Sequence, residues 1–146
     1  MKKPVLLVAE DNDLDALLLE RLCERTPTFF HFQRVENGEA AVHYLQGTGT
    51  YGNRARHPAP DLLLLDLKMP QRDGFGVLSW RREHPAFAQL PVIVFSSSEL
   101  KEDVERAYAL GANSFAVKPN DPARLERFVR ALHEWWGEFN LTPRGR

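Results

Sequence analysis

Short, uninterrupted apolar runs alternate along the chain with segments in which apolar residues recur every three or four positions. The solid runs lie at 5–9, 62–65 and 92–95, and a weaker one lies at 114–117. Runs of this length without polar alternation are typical of strands buried on both faces of a parallel sheet. A fifth strand at 29–35, with polar residues interleaved, is predicted at an edge of the sheet.

Between these runs, helical spacing predicts helices over 13–24, 39–45, 76–82, 99–110 and 121–139. The first helix carries leucines that we expect to face the core: Leu14, Leu17, Leu18 and Leu22. Ser98 is predicted to cap the fourth helix, and Asp121 the fifth, with Pro122 at its first position.

Five successive β-α units predict an α/β fold of the flavodoxin-like type, a five-stranded parallel sheet that is doubly wound. The length of 146 residues suits one domain, 1–146, with 138–146 as a C-terminal tail. The loop at 47–60 is expected to be a surface insertion. The alternative is that its basic residues, Arg54, Arg56 and His57, contact a partner.

Charge and cysteine content exclude several classes of function. Lys plus Arg number 19 against 20 Asp plus Glu, so a nucleic-acid partner lacks its electrostatic basis. Cys23 is the single cysteine, which excludes an intramolecular disulfide and a thiolate-rich metal site. No apolar stretch approaches the ~18 residues of a membrane span, and none suits a signal peptide. We expect a cytoplasmic protein without membrane or nucleic-acid partners.

Chemically useful side chains follow four of the predicted strands. Glu10 and Asp11 follow the first, Asp66 the third, Ser96 ends the fourth and Lys118 follows the fifth. In open α/β sheets these carboxyl ends meet where ligands bind. Three carboxylates at one edge repel each other unless a cation joins them, and oxygen ligands select Mg2+. A carboxylate between a metal and a lysine can accept a phosphoryl group.

Over residues 4 to 137 these motifs resemble the receiver domain of two-component response regulators. The resemblance rests on Glu10-Asp11, Ser96, Lys118-Pro119 and the segment Asp66-Leu67-Lys68-Met69-Pro70 followed by Asp73-Gly74. It implies that a histidine kinase phosphorylates Asp66. It also implies Mg2+ ligands at Glu10, Asp11, Asp66 and the backbone carbonyl of Lys68.

The same resemblance assigns the phosphate-binding and switch positions to Ser96, Ser97, Lys118 and Phe115. It also implies a cis peptide bond between Lys118 and Pro119. Phe115 stands where tyrosine is common, so it offers a ring but no hydroxyl. Lys68 and Ser98 stand where residues that control water access to the acyl phosphate are found, and neither is suited to orienting water. We therefore expect slow dephosphorylation.

A narrower resemblance is to the stand-alone response regulators paired with bacterial and cyanobacterial phytochromes. It rests on Tyr51 and Pro58 in the long loop, and on the aromatic ending at 134–138 followed by Leu141-Thr142-Pro143. It implies that the kinase is a bacteriophytochrome.

The sequence thus predicts a phosphoacceptor switch rather than an enzyme, signalling by binding an unknown downstream protein. The alternatives are a phosphate sink and a pseudo-receiver interaction module. A pseudo-receiver would lack the acidic pair or the lysine. A hydrolase of the haloacid-dehalogenase type would need a second Asp where this chain has Lys68.

The final helix also predicts a homodimer through this helix and the tail. Leu125, Phe128 or Val129, and Leu132 already supply the one apolar stripe that a single domain needs. Three further aromatic residues are expected to extend past the sheet: Trp135, Trp136 and Phe139. The alternative is that these rings fold back over their own domain.

Overall fold

A computed structural model describes residues 3–25 and 30–143. The strands are Val5–Ala9 (β1), His31–Val35 (β2), Leu62–Leu65 (β3), Val92–Ser96 (β4) and Ser114–Val117 (β5). The helices are Asp13–Arg25 (α1), Gly38–Gln46 (α2), Gly74–Glu83 (α3), Lys101–Ala109 (α4) and Pro122–Glu134 (α5). The predicted start of the edge strand, Phe29, lies outside the described residues.

All strand pairs are parallel, and the sheet order is β2-β1-β3-β4-β5. This order confirms the doubly wound, flavodoxin-like fold and places β2 at an edge. Every residue of β1 and β3 is buried because α1 and α5 cover one face of the sheet and α2, α3 and α4 cover the other. Within the described ranges, no helix has the length and apolar character needed to cross a bilayer.

The buried face of α1 differs from the predicted one. Leu22 is buried as predicted, but Leu14, Leu17 and Leu18 are exposed, and the residues that pack on the sheet are Ala16, Leu19, Leu22 and Cys23. Both sets recur at helical spacing, so periodicity alone does not choose between them. Contact with β1, β3 and α5 selects the second set, which includes the smaller side chains.

The start of α4 also corrects the sequence prediction. The helix begins at Lys101, and Leu100 occupies the N-cap position without a side-chain hydrogen bond. The hydroxyl of Ser98 instead donates to Asp103 at 2.6 Å and accepts from the backbone N–H of Leu100. Ser98 therefore closes a turn ahead of the helix rather than capping it. Asp121 does cap α5, accepting from the backbone N–H of Ala123.

The 47–60 loop is anchored by one of the basic residues considered as a partner contact. The Arg54 guanidinium donates to the carbonyls of Tyr44 and Leu45, both at 2.8 Å, and of His57 at 3.0 Å. The Tyr44 hydroxyl donates to the Pro58 carbonyl. Arg54 thus ties carbonyls of the last turn of α2 to the loop, in addition to the N–H of Gly47 that the Tyr44 carbonyl accepts, and its role is structural.

The C-terminal segment continues α5 as a π-helical turn, Trp135–Phe139. Trp136 is buried and packs against Phe30 with ring centroids 6.0 Å apart, so the expectation that it extends past the sheet is wrong. Trp135 is 59% exposed, Phe139 63% and Leu141 68%. The two adjacent tryptophans therefore differ in environment, with Trp136 directed inward and Trp135 left on the surface.

Two titratable groups are buried between α1, α5 and the edge of the sheet. Burial raises the pKa of Cys23 to about 12, which makes this thiol unreactive. Burial also lowers the pKa of His133, whose Nδ1 contacts the Val129 carbonyl at 2.8 Å. Its Nε2 finds no hydrogen-bond partner among the residues that the structure describes.

We predict that Arg54→Met lowers the free energy of unfolding by about 2 kcal/mol, because the partly buried carbonyls of Tyr44, Leu45 and His57 each lose a hydrogen bond from the guanidinium group. Arg56→Met, at an exposed position of the same loop, is the control and should change it little. Urea unfolding measures both. Equal stability of the two variants would show that Arg54 does not anchor the loop.

Candidate functional site

Three carboxylates meet at the carboxyl edge of the central strands. Glu10 and Asp11 follow β1, and Asp66 follows the neighbouring β3, which pairs with β1 in register. One oxygen of each lies within 4.8 Å of the others. Glu10 and Asp66 are buried while Asp11 is exposed. The cluster thus has two carboxylates held in the fold and one that reaches solvent.

Lys118 bridges the two buried carboxylates. Its Nζ lies 2.5 Å from Glu10 Oε1, 3.0 Å from Asp66 Oδ2 and 3.7 Å from Asp15 Oδ2. Lys118 is held here because it follows β5 directly and its backbone N–H donates to the Ser96 carbonyl. The single ammonium group is therefore shared among three carboxylates.

The charged groups at this edge shift one another's pKa values in opposite directions. The pKa of Glu10 is raised to about 7, mainly by burial and to a lesser extent by the charge of Asp66, while the contacts with Lys118 and the backbone N–H of Asn12 act to lower it. Burial lowers the pKa of Lys118, but its contacts with Glu10 and Asp66 outweigh that effect and raise it overall. Lys118 therefore stays charged, and the site has more negative charge than one ammonium group can balance.

The serines lie beside this cluster at the end of β4. Ser96 is fully buried, and its hydroxyl oxygen accepts the backbone N–H of Ser98 at 3.2 Å. Ser97 is exposed and lines the same pocket as Glu10 and Lys118. Both serines are therefore placed at the site edge that the sequence predicted.

The remaining predicted positions lie around the cluster. Phe115 pairs with Val94 in the sheet and packs, half-buried, against the core under α2, α3 and α4. The Lys68 side chain is exposed, and its backbone N–H points to Asp66 Oδ1 at 3.4 Å. Every peptide bond in the described ranges is trans, so the cis bond expected before Pro119 is wrong. The trans isomer is the usual one before proline.

The loop between β3 and α3 approaches the backbone of Asp66 closely. Asp73 caps α3 by accepting from the N–H of Gly76, and the N–H of Gly74 donates to the Leu67 carbonyl. A Cβ on Gly74 would lie 2.4 Å from the Asp66 carbonyl oxygen. Only glycine fits this approach, so the pair Asp73-Gly74 shapes the loop that carries Asp66.

The same loop is tied to the start of α2. The carbonyls of Gln71 and Arg72 accept the first amides of that helix, those of Glu39 and Gly38. Gln71 and Arg72 both have positive φ, 48° and 82°, a conformation that costs energy in residues other than glycine. These hydrogen bonds and the ion pair between Arg72 and Glu39 hold the strained turn in place.

A pocket of about 330 Å³ opens beside the cluster, between α1 and the start of α5. Its lining combines Glu10 and Lys118 with apolar side chains that include Leu18 and Pro119. Leu14, one turn before Leu18, is 74% exposed. An apolar rim therefore borders the acidic site.

Three contributors to this site were missed from the sequence. Asp15 contacts Lys118, Leu18 lines the pocket, and Arg34 donates from β2 to the Glu10 carbonyl. For Asp15 and Leu18 a signal existed, because both lie in the first turns of the helix that follows the acidic pair. Arg34 carried none, since its long side chain reaches the site from an edge strand.

The family comparison identifies this architecture. The family described as "Response regulator receiver domain" matches residues 6–130, and the chain belongs to it. Receiver domains are signalling proteins rather than classical enzymes.

Two curated relatives match nearly the whole chain. The probable methanogenesis regulatory protein FilR2 of Methanothrix harundinacea is 33% identical over 95% of this chain and 87% of its own length. Response regulator Rcp1 of Synechocystis is 31% identical over 95% of this chain and 92% of its own. The chain is about equally similar to two regulators that have different names. These similarities therefore identify the family, and they do not identify the signal to which the chain responds.

Solved structures of phytochrome response regulators match nearly the whole chain. The phosphorylated cyanobacterial phytochrome response regulator RcpA has a TM-score of 0.89 at 29% identity, covering 97% of this chain and 99% of its own. RPA3017, from red light signalling of R. palustris, has a TM-score of 0.88 at 34% identity, covering 96% and 98%. The Mn(2+)-bound form of Rcp1 has a TM-score of 0.86 at 30% identity, covering 96% and 99%. The chain is thus related to phytochrome response regulators.

We predict that Gly74→Ala lowers the free energy of unfolding by about 2 kcal/mol, because the new methyl group overlaps backbone atoms that cannot yield cheaply. Gly52→Ala is the matched control, since a Cβ there would lie 3.4 Å from its nearest neighbour. Chemical denaturation of both variants is the measurement. If Gly74→Ala is as stable as the control, the close approach does not constrain the loop.

Proposed function

We propose that the chain is a phosphoacceptor switch in which Asp66 receives a phosphoryl group from a histidine kinase. The observation that carries this proposal is the bridging contact of Lys118 with Glu10 and Asp66 at one edge of the sheet. Such an arrangement places a carboxylate nucleophile beside a cation and a second acidic group. The matched family adds a fold in which this edge is the ligand-binding side.

The donor set suits Mg2+. Every side-chain ligand available is a carboxylate oxygen, and Glu10, Asp11 and Asp66 lie close enough to share one ion. With the backbone carbonyl of Lys68 they are the ligands that we propose. A bound Mg2+ neutralises carboxylate and phosphoryl oxygens during transfer. The excess negative charge around Glu10 is a second reason that the site needs a cation.

The chain's own residues then carry the transfer. A carboxylate oxygen of Asp66 attacks phosphorus, the bond from phosphorus to the kinase histidine nitrogen breaks, and its electron pair returns to that nitrogen. Lys118 supplies positive charge to the phosphoryl oxygens. Ser96 and Ser97 supply hydroxyl donors, and Phe115, on the adjacent strand, changes its packing as Ser96 moves.

We propose a bacteriophytochrome as the kinase because RcpA and RPA3017 are named for phytochrome and red light signalling. We propose that the kinase docks beside the pocket next to α1, which Glu10 and Lys118 line. Leu14 and Leu18 form an apolar rim there, and exposed apolar patches mark protein contacts. The kinase surface covers this rim during transfer.

We further propose that 1–146 acts as a single receiver domain, with 138–146 as its tail, and signals through protein contacts. A phosphate sink requires the same acceptor chemistry, so it differs only in lacking a downstream protein. A pseudo-receiver is disfavoured because Glu10, Asp11, Asp66 and Lys118 are all present and close together.

The tail offers a surface for a second copy of the chain. Trp135, Phe139 and Leu141 are all more than half exposed and lie within one short segment. Large apolar side chains left in water favour association, and a twofold interface is the common solution. We propose a homodimer through α5 and this segment.

Asp66→Asn is predicted to abolish base-labile phosphorylation by acetyl phosphate and Mg2+, because an amide is a poor nucleophile. Asp61→Asn, at the opposite edge of the sheet, should be labelled as the wild type is. Intact mass spectrometry detects the added phosphoryl group. Stoichiometric labelling of Asp66→Asn would place the phosphate on another residue.

The acyl phosphate is predicted to decay slowly, and Lys68→Asn to accelerate its loss. The Ser98 hydroxyl is engaged with Asp103, so it does not orient water, and exposed Lys68 competes for the phosphoryl oxygens. Decay is followed after removal of acetyl phosphate. Faster decay in the wild type than in Lys68→Asn contradicts this role.

The double variant Trp135→Ser with Phe139→Ser is predicted to be monomeric at micromolar concentrations at which the wild type is dimeric. Leu100→Ser, which removes an exposed apolar side chain from the start of α4, should stay dimeric. Sedimentation velocity measures the mass. A monomeric wild type excludes the dimer, and a dimeric double variant excludes this surface.

A further inference from the structure

One side chain at the acidic edge of the sheet has no part in the transfer described above. Arg34 extends from β2, and its Nε and Nη2 both donate to the backbone carbonyl of Glu10, at 2.9 and 2.7 Å. Its Nη1 lies 2.8 Å from Asp13 Oδ1. The side chain is 21% exposed. One guanidinium group therefore spans the β1–α1 loop from its first residue to the start of the helix.

The carbonyl that accepts hydrogen bonds from Arg34 belongs to the peptide group that orients Asp11. This peptide joins Glu10 to Asp11, so its orientation sets the direction in which the exposed carboxylate of Asp11 leaves the backbone. The other polar groups of Glu10 are also engaged. Its N–H donates to the Val35 carbonyl, Oε1 contacts Lys118, and Oε2 accepts the N–H of Asn12.

We propose that Arg34 is a positioning residue for the divalent cation site and acts through the Glu10–Asp11 peptide. This inference rests on the proposed function, because it takes Glu10 and Asp11 as ligands. Groups that hold metal ligands in place commonly change metal affinity 10- to 100-fold when removed. Arg34 does so from an edge strand, without touching the ion.

The positioning role of Arg34 and its positive charge have opposite expected effects on Mg2+ binding. A cation near the site opposes binding of a second cation, so by charge alone the loss of Arg34 would tighten Mg2+ binding. By positioning, its loss loosens the Asp11 peptide and weakens binding. Lysine keeps the positive charge but cannot place two donors on one carbonyl. Arg34→Lys therefore removes the fork, meaning the paired hydrogen bonds from Nε and Nη2 to the Glu10 carbonyl, without removing the charge.

The ion pair with Asp13 is the lesser contact. The Asp13 side chain is 88% exposed, and exposed ion pairs contribute little. The fork to the Glu10 carbonyl is partly buried and has two donors on one acceptor. Asp13→Asn therefore removes the pair while leaving the fork.

Calorimetric binding of Mg2+ alone tests the inference on the wild type, Arg34→Lys, Arg34→Gln, Asp13→Asn and the charge control Arg130→Gln. The dissociation constant should rise about 10-fold in both Arg34 variants and stay within about twofold in the others. Tighter binding in Arg34→Gln with wild-type binding in Arg34→Lys would show a charge effect only. A rise in Asp13→Asn equal to that in Arg34→Lys would assign the role to the ion pair. Either result overturns the proposal, as do unchanged constants throughout.

Phosphorylation by acetyl phosphate at a series of Mg2+ concentrations supplies the second readout. The half-saturating Mg2+ concentration should rise in Arg34→Lys, while the rate at saturating Mg2+ remains near that of the wild type. A lower saturating rate with unchanged half-saturation contradicts positioning. Absence of Asp66 labelling in the wild type would refute the proposed function, whereas the binding constants for Mg2+ alone still test Arg34.

Discussion

The burial of two carboxylates, Glu10 and Asp66, side by side is the constraint on which this site depends. Removing like charges from water costs several kcal/mol unless opposite charge is close by. Lys118 supplies one positive charge to both, and the raised pKa of Glu10 shows that this is not enough. In the function that we propose, a divalent cation would supply the missing positive charge, and an arriving phosphoryl group would change the balance of charge at this edge. Stored electrostatic imbalance thus underlies the switch that we propose.

The rest of the fold holds the carboxylates of Glu10 and Asp66 close together. β1 and β3 are buried along their whole length, so the strand ends that carry the carboxylates cannot easily move apart. Gly74 lets α3 approach the Asp66 backbone, and the strained turn at Gln71 and Arg72 is hydrogen-bonded to α2. The loop that follows Asp66 is therefore connected to α2 by backbone hydrogen bonds.

Two exposed apolar surfaces lie on different parts of the molecule. One, formed by Leu14 and Leu18, borders the acidic site and suits a protein that delivers the phosphoryl group. The other, formed by Trp135, Phe139 and Leu141, follows α5 and suits a second copy of the chain. In the function that we propose, this separation would allow the kinase and a second copy of the chain to bind at different surfaces.

The sequence by itself determined the strands, the fold class and the residues at the strand ends. Short, uninterrupted apolar runs such as 62–65 are typical of strands buried on both faces of a parallel sheet. Such a sheet brings the residues that follow its strands to one edge. Periodicity did not determine which side of a helix meets the sheet, and α1 carries two such stripes. Contacts between distant segments decided the inward turn of Trp136, the reach of Arg34 to Glu10 and the capping of α2 by Arg54. These contacts join residues that are far apart in the sequence, and no local pattern relates such residues. Only the tertiary structure therefore shows them.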